Sequence, residues 1–255
     1  YVNAARLRRG LVVVLPGIEG RGLLNEGICR GLNDGGVDWA VELCDWTIPG
    51  TPHLNLQSEA RNRRKAEELA ARIVRYGMKH PDRPVVLVGQ SGGGAIAAWA
   101  AGALPPGRKV DGIVMLAVAL SPGYPLDLAL KSSERGIVSF HSERDWLFLG
   151  VGTAVHGTMD RRFESSAGRL GFRVPDGPRR GVYEGLRQIA WKPAMAEVGH
   201  RGMHLTSGAE EFVAEYVAPL VLADRWDEEL IERLRSGEPD APREKWRPGT
   251  SPTTL

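Results

Sequence analysis

Apolar and polar positions alternate along this chain in blocks of two kinds. Leu11-Val12-Val13-Val14-Leu15 and Val85-Val86-Leu87-Val88 are short, unbroken apolar runs rich in β-branched residues, the pattern of strands buried on both faces. Val37–Cys44, Val110–Leu120, Ile137–Phe140 and Arg187–Trp191 are further strand candidates. Between these runs the spacing changes. Leu23, Leu24, Ile28 and Leu32 fall on one side of a helix predicted over Arg21–Leu32, and Ala66, Leu69, Ala70, Ile73 and Val74 line one predicted over Ser58–His80. Ser91–Ala103 is Ala-rich and apolar on all sides, which reads as a buried helix. A short helix is predicted near Leu126–Leu130, and an amphipathic one over Gly208–Leu222 through Phe212, Val213, Tyr216, Val217 and Leu220. Strand and helix in alternation predict an α/β fold, a doubly wound, mainly parallel sheet flanked by helices.

No internal repeat or linker interrupts this pattern, so one domain is expected, with its core over about residues 10–222. A C-terminal helix and a flexible tail are expected in 223–255. Residues 141–186 are looser and rich in Gly and Arg. A formal charge of +2 over 255 residues gives no reason to expect nucleic acid or anionic membrane as a partner. Cys29 and Cys44 make neither a disulfide framework nor a metal site; as free thiols they favour a reducing compartment. No apolar run approaches the roughly 18–20 residues of a membrane span. The expected setting is cytoplasmic by default, with export left open by a chain that starts at Tyr1.

Candidate chemistry starts at Gly89-Gln90-Ser91-Gly92-Gly93, where a strand meets a helix with no residues left for a loop. With 32 Gly and 12 Ser in the chain, a bare G-x-S-x-G arises about 0.2 times by chance. Its setting carries the weight. An abrupt strand-to-helix turn strains the central residue, needs glycine on both sides, and holds the Ser91 hydroxyl at the top of the sheet above a helix N-terminus. The bland alternative is a serine that caps the helix.

A serine nucleophile needs a base, and the base an orienting group. In doubly wound sheets functional groups gather at the carboxyl ends of strands. Asp145 lies five residues beyond Phe140, with Glu143 beside it; His200 and His204 lie beyond Trp191, ahead of the last long helix. The order Ser91, Asp145, His204, each after a different strand, resembles the α/β-hydrolase superfamily over about residues 10–222. The resemblance implies a nucleophile at Ser91, an acid at Asp145 with Glu143 as the alternative, and a histidine at His204, with His200 as the alternative. It also implies an oxyanion hole from the amides of Gly92 and of Ile18, in the Pro16-Gly17-Ile18 turn. Pro16 stands where many relatives have His. His53, His80, His141 and His156 have no comparable placement.

The implied activity is serine hydrolysis of a small-molecule carboxylic ester or thioester through an acyl-enzyme. Acyl transfer on the same groups and a non-catalytic, ligand-binding descendant are the alternatives. No cofactor is called for, and no metal: Gly202 separates His200 from His204 and no nearby carboxylate completes a ligand set. Gly17-Ile18-Glu19-Gly20-Arg21-Gly22 has the wrong spacing for a dinucleotide fingerprint. Only Ser121–Gly136 separates the fourth predicted strand from the fifth, too little for a large lid. The arginines within 157–187 would favour an acidic substrate if they flanked the pocket.

Overall fold

Strands β1 (Leu11–Leu15), β2 (Ala40–Leu43), β3 (Val85–Gln90), β4 (Gly112–Leu116), β5 (Ile137–His141) and β6 (Leu186–Ala190) form one sheet in the order β2-β1-β3-β4-β5-β6, parallel throughout. The computed structural model describes residues 1–237, the side chain of Val151 apart. The period-2 geometry of a strand sends Leu11, Val13 and Leu15 to one face and Val12 and Val14 to the other. Both faces must then be covered, which is why the apolar runs are unbroken. Helices Glu59–Lys79 and Gly92–Gly102 cover the first face; helix Leu23–Asp34, the helical run to Leu222 and helix Glu228–Ser236 cover the second.

Among the departures from the sequence reading, two have clear local reasons. The apolar run expected to be a strand over Val110–Leu120 pairs in the sheet only from Gly112 to Leu116. Ala117 then takes φ 48°, and Ala119 donates to Ser91 O. Val118 and Leu120 are buried by accepting from Gly168 and Ala167 instead of extending the strand. The helix expected over Gly208–Leu222 starts at Glu210 and contains a π-turn, Val213–Val217, before it resumes at Ala218–Leu222. Pro219 explains the widened turn: it has no N–H to give, and its ring collides with the carbonyl four residues back in a regular α-helix.

The gap after β4 carries only the short helix Asp127–Lys131. The long excursion is residues 142–185, between β5 and β6. It returns across the carboxyl end of the sheet, where Met159 N–H donates to Ala119 O and Asp160 accepts from the Ser121 amide and hydroxyl. Helix Glu228–Ser236 begins at Asp227, whose side chain accepts from Leu230 N–H, as expected for an N-cap. The tail expected to follow lies outside the described residues from 238 onward.

Candidate active site

β1 continues outward to β2, whereas β3 lies on the opposite side of β1. Chain connections therefore leave the ends of β1 and β3 in opposite directions and open a crevice there, the place where open α/β sheets hold ligands. Ile18 follows β1 and Ser91 follows β3, so both border it.

Ser91 has φ 53° and ψ −121°, a conformation an L-residue adopts at a cost of about 1–3 kcal/mol. Its neighbours impose it: Ser91 N–H donates to Leu116 O at 2.9 Å, and Ala119 donates to Ser91 O at 3.1 Å. Glycine is obligatory on both sides. A methyl on Gly89 would lie 2.5 Å from Gly93 O, and one on Gly93 would lie 2.2 Å from Leu15 O. The sharp turn is thus wedged between two strands and cannot relax.

Ser91 Oγ lies 3.0 Å from His204 Nε2, and His204 Nδ1 lies 2.8 Å from Asp145 Oδ2. All three side chains are buried. An ionised carboxylate only accepts, so Nδ1 carries the proton toward Asp145, and the Nε2 lone pair is left to accept from the serine hydroxyl. Asp145 sits in the turn that leaves β5, its amide donating to Ser142 O. His204 opens a single 3₁₀ turn to Thr206, pinned by the Ser207 hydroxyl donating to His204 O. Phe148 stacks on the imidazole at 5.2 Å, and Gln90 Nε2 approaches Nε2 at 3.4 Å. Neither residue stands out in the sequence. The only clue to Gln90 is its place beside Ser91, and to Phe148 its helical spacing from Asp145.

The alternatives sit elsewhere. His200 is buried against the Phe212 ring. The Thr206 hydroxyl donates to Met203 O, so its oxygen accepts from His200 Nδ1–H and from the Arg201 amide. Burial pushes the His200 pKa down to about 4, holding it neutral. Glu143 is exposed, and its carbonyl accepts from Arg169. His53 meets His156 edge to face at 5.7 Å, and His80 lies against Tyr76. Burial also lowers the pKa of His141.

Ile18 and Gly92 are neighbours. A methyl on Gly92 would come within 2.9 Å of Ile18 Cγ2, and neither residue's N–H donates to another group among the described residues. Pro16 serves the same turn through its carbonyl, which accepts from Trp46 Nε1 at 2.8 Å. Arginines of the 157–187 segment are taken up locally: Arg173 by Glu164, Arg179 by Asp127 and Arg169 by Glu143 O and Ser165. Cavities of about 440 Å³ and about 360 Å³ are lined by none of Ser91, Asp145 and His204. Among the described residues no group of three His, Cys, Asp or Glu side chains is placed to hold a metal ion, and no helix is long and apolar enough to cross a membrane.

No family model matches the chain, and no curated protein matches its sequence. Solved structures do. Lipase B of Aspergillus fumigatus superposes with a TM-score of 0.51 over 88% of this chain and 56% of its own, at 14% identity. TT1662 of Thermus thermophilus gives 0.49 over 84% and 90%, at 15% identity, and dienelactone hydrolase of Anabaena variabilis gives 0.45 over 84% and 83%, at 18%. At such identities the likeness is one of fold. With the six-stranded order and the strand-to-helix turn at Ser91, it establishes that the chain has the α/β-hydrolase fold.

Proposed function

We propose that the protein is a serine hydrolase that cleaves a carboxylic ester or thioester through an acyl-enzyme on Ser91. The observation that carries this reading is the buried line from Ser91 Oγ to His204 Nε2 at 3.0 Å and from Nδ1 to Asp145 Oδ2 at 2.8 Å. A nucleophile, a base and an orienting carboxylate in hydrogen-bond contact form the constellation acyl transfer requires.

In this mechanism His204 takes the Ser91 proton as the oxygen attacks the carbonyl carbon. Asp145 holds the tautomer and stabilises the imidazolium. The Gly92 and Ile18 amides receive the oxyanion, two donors set in place before reaction and so requiring no reorganisation. Imidazolium then returns the proton to the leaving alcohol or thiol, and the acyl-enzyme forms. Water, deprotonated by the same imidazole, attacks the acyl carbon and releases the acid and free Ser91. The nearness of the solved lipase fold is in keeping with this chemistry.

The test is a panel of chromogenic esters and acyl-thioesters run on the intact protein and on Ser91→Ala, beside labelling with a fluorophosphonate. Hydrolysis should fall about 10⁴-fold or more in Ser91→Ala, and label should reside on Ser91. Equal turnover by both proteins, or label elsewhere, overturns the assignment.

A further inference from the structure

The two sides of Ser91 are built differently, and the difference bears on which half of an ester is large. His204 comes from the loop that leads into Glu210–Phe212, whose Phe212 packs on one face of the sheet. On the opposite face, in the core layer that includes the elbow helix Gly92–Gly102, three side chains close around Gly92. A methyl built there would meet Ile18 Cγ2 at 2.9 Å, Trp46 Cζ2 at 3.2 Å and Met159 Sδ at 3.3 Å. Trp46 is 3% exposed and Met159 0%, and both are fixed from behind, Trp46 by its bond to Pro16 O and the Met159 backbone by its bond to Ala119 O. This wall is apolar, tight and anchored.

The histidine side is the reverse. Phe148, stacked on the imidazole, is 45% exposed; Trp146 and Leu147 beside it, and Met203 and Leu205 on either side of His204, are exposed as well. Five large apolar side chains, each within three positions of Asp145 or His204 in sequence, thus face solvent, and Phe148 among them lies against the imidazole. A cluster of that kind on a folded surface marks a place where something apolar binds.

Stereochemistry assigns the occupants. In a tetrahedral adduct on Ser91 the oxyanion faces the Ile18 and Gly92 amides, and the alcohol oxygen must face Nε2 of His204 to receive its proton. The acyl substituent is left the direction away from the imidazole, and the side chains packed around Gly92, the residue next to Ser91, are those of Trp46, Met159 and Ile18. We infer that the substrate is an ester of a small carboxylic acid with a bulky, apolar alcohol, the acyl group confined by Met159, Trp46 and Ile18 and the alcohol lying on Phe148, Met203 and Leu205. This rests on the hydrolase reading and deepens it.

Two isomeric esters separate the halves. 3-Phenylpropyl acetate and ethyl 3-phenylpropanoate have the same atoms and the same apolar bulk, with the phenyl ring on the alcohol in one and on the acid in the other. The expected kcat/KM favours 3-phenylpropyl acetate by about tenfold to a hundredfold, the range an apolar pocket gives for misplaced methylenes. Met159→Ala should enlarge the acyl side and lower that ratio at least about threefold, and Ile18→Ala, which keeps the backbone amide, should do the same if the buried Met159 variant does not fold. Equal rates, a preference for ethyl 3-phenylpropanoate, or fluorophosphonate labelling of Ser91 without turnover of either isomer overturns the inference and leaves the hydrolase reading standing. Absence of both labelling and turnover removes the hydrolase reading, and the partition of the substrate with it.

Discussion

Asp145 contributes one oxygen to His204; its other, Oδ1, is buried and accepts no hydrogen bond among the described residues. Its role is therefore concentrated in a single contact that fixes a tautomer. Asp145→Asn puts an amide there that can donate to Nδ1 and turn the proton to Nε2, where it faces the serine. Turnover should drop about 10⁴-fold while Ser91 stays folded in place, a change read by comparing kcat with the near-UV spectrum. His200 has the opposite character. It is neutral in the folded protein because burial lowers its pKa from 6.5 to about 4, whereas the unfolded chain protonates it below about 6.5. The unfolded state then binds more protons between those values, so stability is complete above about pH 6.5 and declines as the pH falls toward 4. The loss reaches roughly 3 kcal/mol at about 1.4 kcal/mol per pH unit. Urea midpoints measured from pH 7 to pH 4.5 should fall accordingly, and His200→Gln should flatten that dependence. In the sequence both histidines stand ahead of the last long helix, His204 nearer to it. Distinguishing them physically takes the Thr206 hydroxyl and the Phe212 ring, contacts that no spacing announces.

At the scale of elements, the strand-to-helix turn is the feature most fully written in the chain. Gly89-Gln90-Ser91-Gly92-Gly93 has one geometry available between a buried strand and a buried helix. The glycines are not equivalent, however. A methyl on Gly93 strikes the Leu15 and Pro16 carbonyls, which belong to the backbone of the neighbouring strand and its exit; a methyl on Gly92 meets only side-chain atoms, at 2.9 Å and beyond. Gly93→Ala should therefore cost about 3 kcal/mol or more, seen as a lower denaturation midpoint at unchanged slope, and Gly92→Ala clearly less. The π-turn before Pro219 is missing from the sequence reading, which runs one helix through to Leu222, although a mid-helix proline must widen or break its helix. The end of β4 was not legible. Val118 and Leu120 are as apolar as Val114 and Leu116, and only the arrival of Ala167 and Gly168 from the 142–185 excursion decides that they leave the sheet.

Across the whole molecule, one side chain ties the sheet to its last long helix. Arg135, 7% exposed at its side chain, precedes β5. Its guanidinium donates to the carbonyls of Leu220, Val221 and Ala223, its Nε–H donates to Asp111 O, and it lies 3.8 Å from the Asp111 carboxylate. It caps the carboxyl end of the helical run that starts just after His204, satisfying carbonyls a helix leaves unpaired. Arg135→Ala should lower unfolding free energy by about 3 kcal/mol, because the Val221 and Ala223 carbonyls lose their donor together, whereas Leu220 O keeps the Trp226 indole. Arg135→Lys should recover only part, since an ammonium cannot reach all of those acceptors from one position. Chemical denaturation of both variants checks the order. In the sequence Arg135 is one of many arginines. It follows Glu134 in a polar turn and carries no mark of burial.

The chain's own pattern determined that strands would be buried on both faces, that helices would cover them, and that a serine would be held at a glycine-flanked turn above a helix N-terminus. These follow from local sterics and periodicity, which act over a few residues and can be read from them. What tertiary structure alone decided is convergence: that the carboxylate after β5 and the histidine beyond β6 meet over β3, that Met159 and Trp46 pack around Gly92, and that Phe148 stacks on the imidazole. Those contacts join segments separated by tens of residues, and their existence depends on strand order and on the path of 142–185, quantities set by packing of the whole chain rather than by any stretch of it.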